Sequence, residues 1–425
     1  MLFLLLFLLA AGASAQAPTP LAALIREAQV HNPGVQATEH VWRAAEQAIA
    51  PAGALPDPQM DVQQMSAGSP LPFDGFSQVE MTYVGVGVSQ SIPSAGVRRW
   101  SAAAARQQAA AAAGDWQQAR RRLARQVTEL YIHLGLLAQQ QRILEQQGSL
   151  LRQAEAAAEL GYRTARGTQA DVLAAQLQVT ELMRDTVELR QEQDVAEAQM
   201  RSLLGRAPGT AAIVPEPLRV THLDAGEPAL AAALDRGDPA LAAGRARAAA
   251  AGAEVQRAHA AGRPEFSVQF AYQHTAGAFP DRYMWGAAMS LPWLHRADHA
   301  AAARQAAETQ AGAQSTLEQL QLDQRYRLTA ALLNVRNDEQ MLRLDAGGLL
   351  PQARAAAAAA LVAYTAGQAG LETYLQAWSS ELTLERQYWQ TVADHETALA
   401  AITELTGPNR AGAQAAPSPS EVAHD

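Results

Sequence analysis

Two periodicities alternate along this chain. Phe266, Val268, Phe270 and Tyr272 alternate with Ser267, Gln269, Ala271 and Gln273. After a short loop, Tyr283, Trp285, Ala287, Met289 and Leu291 alternate with Met284, Gly286, Ala288 and Ser290. A period of two over eight or nine residues predicts a strand with one apolar face. Pro264 and Pro292 bracket the pair as a strand hairpin over about 264–292. A second hairpin is predicted over about 57–93. There Val84, Val86 and Val88 alternate with Gly85, Gly87 and Ser89 up to Pro93, and a less regular partner lies near Gln59 to Met65.

The other pattern is helical and long. No Pro occurs between Pro93 and Pro208, and Ala, Gln, Leu and Arg dominate. Pro costs about 3 kcal/mol inside a helix, so its absence permits continuity. Val97 to Leu160 reads as one helix, roughly 95 Å long at 1.5 Å per residue. Gly161-Tyr162-Arg163-Thr164-Ala165-Arg166-Gly167 supplies a turn, because Gly ends helices well, and a second helix returns from Thr168 to Leu204. This helical hairpin, about 97–205, has a counterpart over about 295–405. The counterpart is interrupted at Gly347-Gly348 and Pro351 and turns near Tyr364 to Gly370. Ala102–Ala105, Ala109–Ala113 and Ala355–Ala360 offer seams for close helix packing.

The halves therefore repeat. Asn32-Pro33 and Asp238-Pro239 stand 206 positions apart, each after a short Leu/Ala-rich helix; Tyr162 and Tyr364, and Leu173 and Leu375, stand 202 apart. Leu204-Gly205 and Leu405-Gly407 close the halves. The domains expected are a leader at 1–15, a first repeat at 16–208, a second at 209–408, and a disordered tail at 409–425 rich in Ala, Pro and Ser.

Apolar residues on one strand face and small or polar ones on the other fit a transmembrane β-barrel. Tyr272, Phe279, Tyr283, Trp285 and Trp293 sit near strand ends, where interfacial girdles belong. Four strands cannot close a barrel, and an open edge in lipid would leave backbone groups unsatisfied. Several chains must then share one barrel. Ordinary soluble coiled coils, as in a periplasmic adaptor, are the alternative.

Composition narrows the setting. Leu2 to Leu9 are almost all Leu and Phe, and Ala13-Ser14-Ala15 offers a cleavage site before Gln16, so an exported chain is expected. That apolar run is shorter than the ~20 residues a spanning helix needs. With no Cys, neither disulfides nor a lipid on an N-terminal Cys is expected. A net charge of −9 gives no electrostatic reason to bind nucleic acid.

No Gly-rich phosphate loop follows a strand, and no nucleophile elbow is present, so no enzyme, catalytic residue or cofactor is expected. His295 and His299 share a helix face, with Asp298 between them. They lack a third ligand, so solvated surface histidines and no metal site are expected. Met60, Met65 and Met81 read as apolar filling, and Arg120-Arg121-Arg122 with Arg125 as a solvated or salt-bridging face.

Several segments in order resemble the TolC family of outer-membrane efflux proteins. They are Leu24-Ile25-Arg26-Glu27-Ala28 with Asn32-Pro33, then Gly161-Tyr162 through Gly167 with Asp171-Val172-Leu173-Ala174-Ala175-Gln176. Leu203-Leu204-Gly205-Arg206-Ala207-Pro208 and Ala363-Tyr364 with Gly367 follow. The resemblance implies an α plus membrane-β fold. Long helical hairpins would form a periplasmic α-barrel, and four strands per chain would contribute to a twelve-stranded β-barrel in a homotrimer. It implies an outer-membrane location, a periplasmic adaptor and an inner-membrane pump of the RND type as partners, with outer-membrane lipid around the barrel. Leu55-Pro56-Asp57-Pro58, Pro72-Phe73, Met81-Thr82 and Ser89-Gln90-Ser91-Ile92-Pro93 resemble the branch serving heavy-metal pumps. Where that branch continues with Pro-Gly-Lys, Ser94-Ala95-Gly96-Val97-Arg98-Arg99 stands here. A multidrug duct of the same fold is the alternative.

In this frame, the turns holding Gly161, Tyr162, Arg166 and Gly167, and Tyr364, Gly367 and Gly370, are the expected periplasmic tips that dock an adaptor. Relatives carry acidic residues just after the second tip, forming a cation-selective ring. The corresponding places hold Thr373 and Gln376, and Glu372 and Asp171 are the nearby candidates for the gate.

Overall fold

The computed structural model describes residues 18–66, 71, 82–210, 212–275 and 279–407. The expected leader, Pro72-Phe73, Met81 and the tail from 409 lie outside the described residues. Helices α1 (Leu21–His31), α2 (Pro33–Gln47) and α3 (Ile49–Gly53) precede strands β1 (Gln59–Met65) and β2 (Tyr83–Ile92). Helices α4 (Ala95–Arg163) and α5 (Gln169–Leu204) follow. The second half repeats the order with α6 (Glu227–Gly237), α7 (Pro239–Ala260), β3 (Phe266–His274) and β4 (Arg282–Met289). A 3-10 turn (Pro292–His295) then leads to α8 (Arg296–Leu344), α9 (Leu350–Thr365) and α10 (Leu371–Thr406).

The two X-Pro landmarks end one helix and begin the next. The Asn32 side chain accepts hydrogen bonds from the backbone N–H of Gly34 (2.9 Å) and Val35 (3.3 Å), and Asp238 accepts from Ala240 (2.7 Å). These are N-caps, followed by a Pro whose missing N–H would be unused in a first turn. Sequence reading recognised the stop and missed the restart, so α2 and α7 are additions to it. The break expected at Gly347-Gly348 and Pro351 is a single π turn, Asp345–Leu349, after which Pro351 occupies the first turn of α9. Widening by one residue lets the chain pass a Pro without ending the helical path.

The described chain gathers into two compact units, each drawn from both repeats. One unit comprises residues 37–118 and 238–323 and contains the sheet. The strand order is β1-β2-β3-β4, antiparallel throughout. Small residues set its helix packing. A Cβ on Gly114 would lie 2.8 Å from that of Ala243, and one on Gly244 3.0 Å from Leu317. Ala102, Ala104, Ala105, Ala109, Ala111 and Ala112 are buried, as the first two seams require, and Trp42 stacks on Trp116 at 4.8 Å.

The other unit comprises residues up to 36, 119–237 and from 324 onward. It joins segments far apart in sequence. Arg206 donates two hydrogen bonds to the Glu27 carboxylate, at 2.6 and 2.7 Å, and Asn32 Nδ2 donates to the carbonyl of Leu203 at 3.0 Å. Gly205, with φ +68°, lies under the His31 carbonyl, where a Cβ would be 2.9 Å from the oxygen. The three segments whose residues carry the family resemblance at either end of the first repeat thus form one joint. Glu404, with only 2% of its side chain exposed, is clasped by Arg125 (2.9 Å) and Arg327 (3.3 Å), while Arg121 donates to its carbonyl. Within the Arg120–Arg125 cluster, Arg125 thus links helices by an ion pair and Arg121 by a hydrogen bond to a carbonyl. Of the third Ala seam, Ala357 alone is buried.

Candidate functional site

Register decides which side chains share a sheet face. Met60, Val88, Phe270 and Trp285 form one row across the four strands, and Val62, Val86, Tyr272 and Tyr283 the next. Ile92, Phe266 and Met289 lie on the same face. The opposite face carries Asp61, Gly87, Ala271 and Met284 in one row, and Gln59, Ser89, Gln269 and Gly286 in another.

In β2 and β3 burial differs between the two faces, while β1 and β4 are exposed at nearly every residue. Trp285 is 81% exposed, Met60 73% and Tyr283 67%, with Val86, Val88, Phe266 and Val268 also exposed. On the polar face, Gly85, Gly87, Ala271 and Gln273 are buried. Glycines there make room for polar neighbours. A Cβ on Gly87 would lie 2.6 Å from the Asp61 carboxylate, and one on Gly286 2.6 Å from the Gln269 amide. Asp61 in turn accepts a hydrogen bond from Gln63 at 2.6 Å. A sheet that presents large apolar and aromatic side chains on one face and small or polar ones on the other suits an apolar surrounding.

In the other unit, α4 and α5 meet in the first tip. The Gly161 carbonyl accepts from the N–H of Arg166 (2.8 Å) and of Gly167 (3.0 Å). In the second tip the Ala363 carbonyl accepts from Gln368 (2.8 Å) and Ala369 (3.2 Å). Each pair of equivalent atoms is 202 positions apart, so the repeat extends to single hydrogen bonds. The left-handed position of the second tip is Gly367, φ +73°; its equivalent in the first is Ala165, φ +56°. Gly161 and Gly167 serve another need: a Cβ on Gly167 would lie 3.4 Å from the backbone of Gly161 and Tyr162. Tyr162 and Arg166 are exposed and Tyr364 half-buried. Gly370 is the N-cap of α10 in extended conformation, and nothing crowds it.

The four gate candidates sit differently. Asp171 completes a capping box on α5, accepting from the Thr168 N–H (2.8 Å) and hydroxyl (2.7 Å) while Thr168 Oγ1 accepts from the Asp171 N–H. Its charge also reaches Tyr364, whose phenol is raised first by burial and further by Asp171. Glu372, Thr373 and Gln376 are exposed together on the first turns of α10. Glu372 has no ion pair or hydrogen bond with a described residue through its side chain.

Behind them, α10 turns Tyr374, Trp378, Glu381 and Glu385 inward. Burial, assisted by the charge of Glu381, pushes the Tyr374 phenol up to about 12. Burial also raises the Glu381 carboxyl, opposed by a hydrogen bond from Gln147. Arg354 pairs with Glu385 at 2.7 Å. Sequence reading did not pick out this inward row; the Tyr374–Trp378 spacing of four was its signal. His295 faces Asp298 at 3.5 Å with both side chains exposed. Met60 lies on the apolar sheet face and Met65 on the polar one.

The model of the family described as outer membrane efflux protein matches residues 24–206. That part of the chain is similar to the outer membrane efflux protein family. Its two ends are the segments joined by Glu27 and Arg206.

The whole described chain has the fold of TolC-type channels. It is similar to the outer-membrane channel OprN: 18% identity, TM-score 0.78, covering 91% of this chain and 89% of that one. CusC, studied for folding and transmembrane channel formation, gives 16% identity and TM-score 0.79 over 92% and 93%. The outer membrane protein VceC from Vibrio cholerae gives 18% identity and TM-score 0.77 over 91% and 96%. No curated protein matches the chain. Among the described residues no helix is long and apolar enough to cross a membrane.

Proposed function

We propose that this protein is the outer-membrane duct of an efflux system, working as a homotrimer with a periplasmic adaptor and an inner-membrane pump. The observation that carries the reading is the sheet that exposes Met60, Val86, Val88, Tyr283 and Trp285 on one face while Gly85, Gly87, Ala271 and Gln273 are buried on the other. β1 and β4 each pair on one side only among the described strands. In lipid, those edges need partners. Three copies placing β4 of one beside β1 of the next would close twelve strands, with Asp61, Ser89, Gln269 and Gln273 wetting the bore. The match over residues 24–206 and the shared fold support the same reading.

The two tips are the docking surface for the adaptor, and Glu372, Thr373 and Gln376 line the gate. A duct needs positioned polar surface and no nucleophile. Heavy-metal cations are the proposed cargo, on the strength of the Leu55–Pro58 and Ser89–Pro93 segments. The duct reading is tested in planar bilayers with purified full-length protein: a heat-modifiable trimer that opens discrete conductance steps is expected. A detergent-free soluble monomer would refute it and favour a periplasmic adaptor. The cargo is tested with a deletion strain challenged by zinc, cobalt, cadmium, copper and silver beside dyes and antibiotics. Selective metal sensitivity with raised intracellular metal, reversed by complementation, is expected. Sensitivity to dyes and antibiotics alone would reassign the duct to a multidrug pump.

A further inference from the structure

Three arginines line one groove between α3 and the beginning of α4: Arg98, Arg99 and Arg106. The helices approach closely because residue 53 is Gly, where a Cβ would lie 3.1 Å from that of Ala102. Arg98, Ala102 and Arg106 recur every four residues and share one face of α4. No acidic residue lines the groove among the described residues. None of the three arginines forms an ion pair with a described residue, and the first turn of α4 contains no acid. Arg98 Nε is buried without a hydrogen-bond partner.

Five arginines elsewhere mark the alternative, a carboxylate at hand. Arg125, Arg206, Arg247, Arg327 and Arg354 all have carboxylates within 3.3 Å. Three like charges left together repel one another, and a partly buried guanidinium N–H without an acceptor is costly. The groove is electrostatically incomplete and calls for an anion.

Its position indicates which. β2 ends at Ile92 on the exposed apolar face, and α4 starts three residues later at Ala95. Arg98 and Arg99 therefore stand about one helical turn beyond the apolar band, and Arg106 about two turns further. Helical side chains lean toward the N-terminus, so Arg106 reaches back in the same direction. Long basic side chains at such a boundary lie along apolar surface and place their charge among headgroups. Arg99 also stacks at 5.1 Å over Trp100, and Trp293 is exposed nearby in sequence to β4. Trp is favoured at this level of a membrane.

We propose that the Arg98–Arg99–Arg106 groove binds the phosphate of an anionic phospholipid in the leaflet on the helical side of the barrel. The proposal rests on the reading that the sheet lies in a membrane. Guanidinium forks hydrogen-bond phosphate oxygens in pairs, and a lipid brings the phosphate where its acyl chains can cover the apolar face.

The test uses full-length protein in nanodiscs of phosphatidylethanolamine with one quarter phosphatidylglycerol, then release and native mass spectrometry. Wild type is expected to retain phosphatidylglycerol. Arg98→Gln/Arg99→Gln/Arg106→Gln should retain it at least ~10-fold less, since each basic group at a membrane surface contributes severalfold. The triple Lys variant, which keeps the charge, should retain most of it and guards against mere misfolding. Equal retention by wild type and the triple Gln variant would overturn the proposal. So would complete displacement by millimolar inorganic phosphate, which would make the groove a site for free anion. A carboxylate from a neighbouring copy seated in the groove of the trimer would overturn it as well. Wild-type protein that forms conducting trimers yet retains no phosphatidylglycerol sinks this inference alone. Failure to enter vesicles sinks the duct reading beneath it.

Discussion

Val88→Arg and Ser89→Arg place the same charge one residue apart on opposite sheet faces. Val88 sits in the row Met60–Val88–Phe270–Trp285, and Ser89 in the row Gln59–Ser89–Gln269–Gly286. If the apolar face met water, Val88→Arg would be a surface change worth within about 0.5 kcal/mol. If it meets lipid near mid-depth, Arg there costs about 2–4 kcal/mol per chain. A barrel shared by three copies carries the change three times, so the trimer loses roughly 6–12 kcal/mol. Each ~1.4 kcal/mol is tenfold in an equilibrium constant. Val88→Arg should therefore abolish the trimer at denaturant concentrations wild type survives. Ser89→Arg enters a polar bore that can hydrate it and should shift stability by less than ~1 kcal/mol. The assay is urea unfolding in phospholipid vesicles, read by loss of the heat-modifiable trimer and by tryptophan fluorescence. Equal midpoints for the two variants, or a lower one for Ser89→Arg, would falsify the assignment of faces.

The joint and the clasp offer further tests. The hydrogen bond and charge of Arg206, opposed by partial burial, hold the Glu27 carboxyl below the usual carboxylate range. Its contribution, about 1 kcal/mol, is therefore fully present above the unfolded carboxylate pKa and disappears as pH falls through the lower folded value. Thermal melts between pH 3 and 6 should show a loss in wild type that Glu27→Gln lacks. Gly205→Ala forces a Cβ into a left-handed residue 2.9 Å from the His31 carbonyl and should destabilise by about 2 kcal/mol, measured by chemical unfolding. Glu404→Ala leaves Arg125 and Arg327 without their shared carboxylate and should cost about 3 kcal/mol. Replacing all three residues by apolar ones should recover most of that loss; no recovery would mean the clasp is not the cause.

How far the sequence could be read depended on whether a signal was local. Alternation from Phe266 to Tyr272 is visible in a window of seven residues, and β3 formed there. In β1, Gln-Met-Asp-Val-Gln-Gln-Met has three apolar residues and no regular alternation, so only its register with Val84, Val86 and Val88 assigns Met60 and Val62 to the apolar face. Helices α2 and α7 escaped because Asn-Pro and Asp-Pro read as stops, while the cap that restarts each helix is a side-chain hydrogen bond. The clasp on Glu404 joins positions 279 and 77 residues apart, beyond any local pattern. Asp171 looked like bore chemistry because it is acidic and near a tip, yet the Thr168 capping box already engages its carboxylate. The arginines at 98 and 99 were legible as a departure from a pattern; that they face a groove without acids was not.

The tips carry this argument to function. Their backbone hydrogen bonds coincide at a spacing of 202, yet apart from Tyr162 and Tyr364 the side chains of the two turns differ. Arg166 occupies the place that Gln368 takes in the second tip, and Arg163 the place of Thr365. One backbone solution therefore presents a basic loop and a neutral one. A partner contacting both must treat them differently, since a charged rim steers approach and fixes register. Arg166→Glu should weaken capture of the adaptor by about 1 kcal/mol or more, mainly through a slower association that high salt conceals. Gln368→Glu adds the same kind of charge to the loop that had none and should change association less. Binding kinetics of the purified adaptor on immobilised trimer, at low and high salt, separate the cases. If both variants associate as wild type does, the tips merely turn the chain and the docking surface lies elsewhere on the helices.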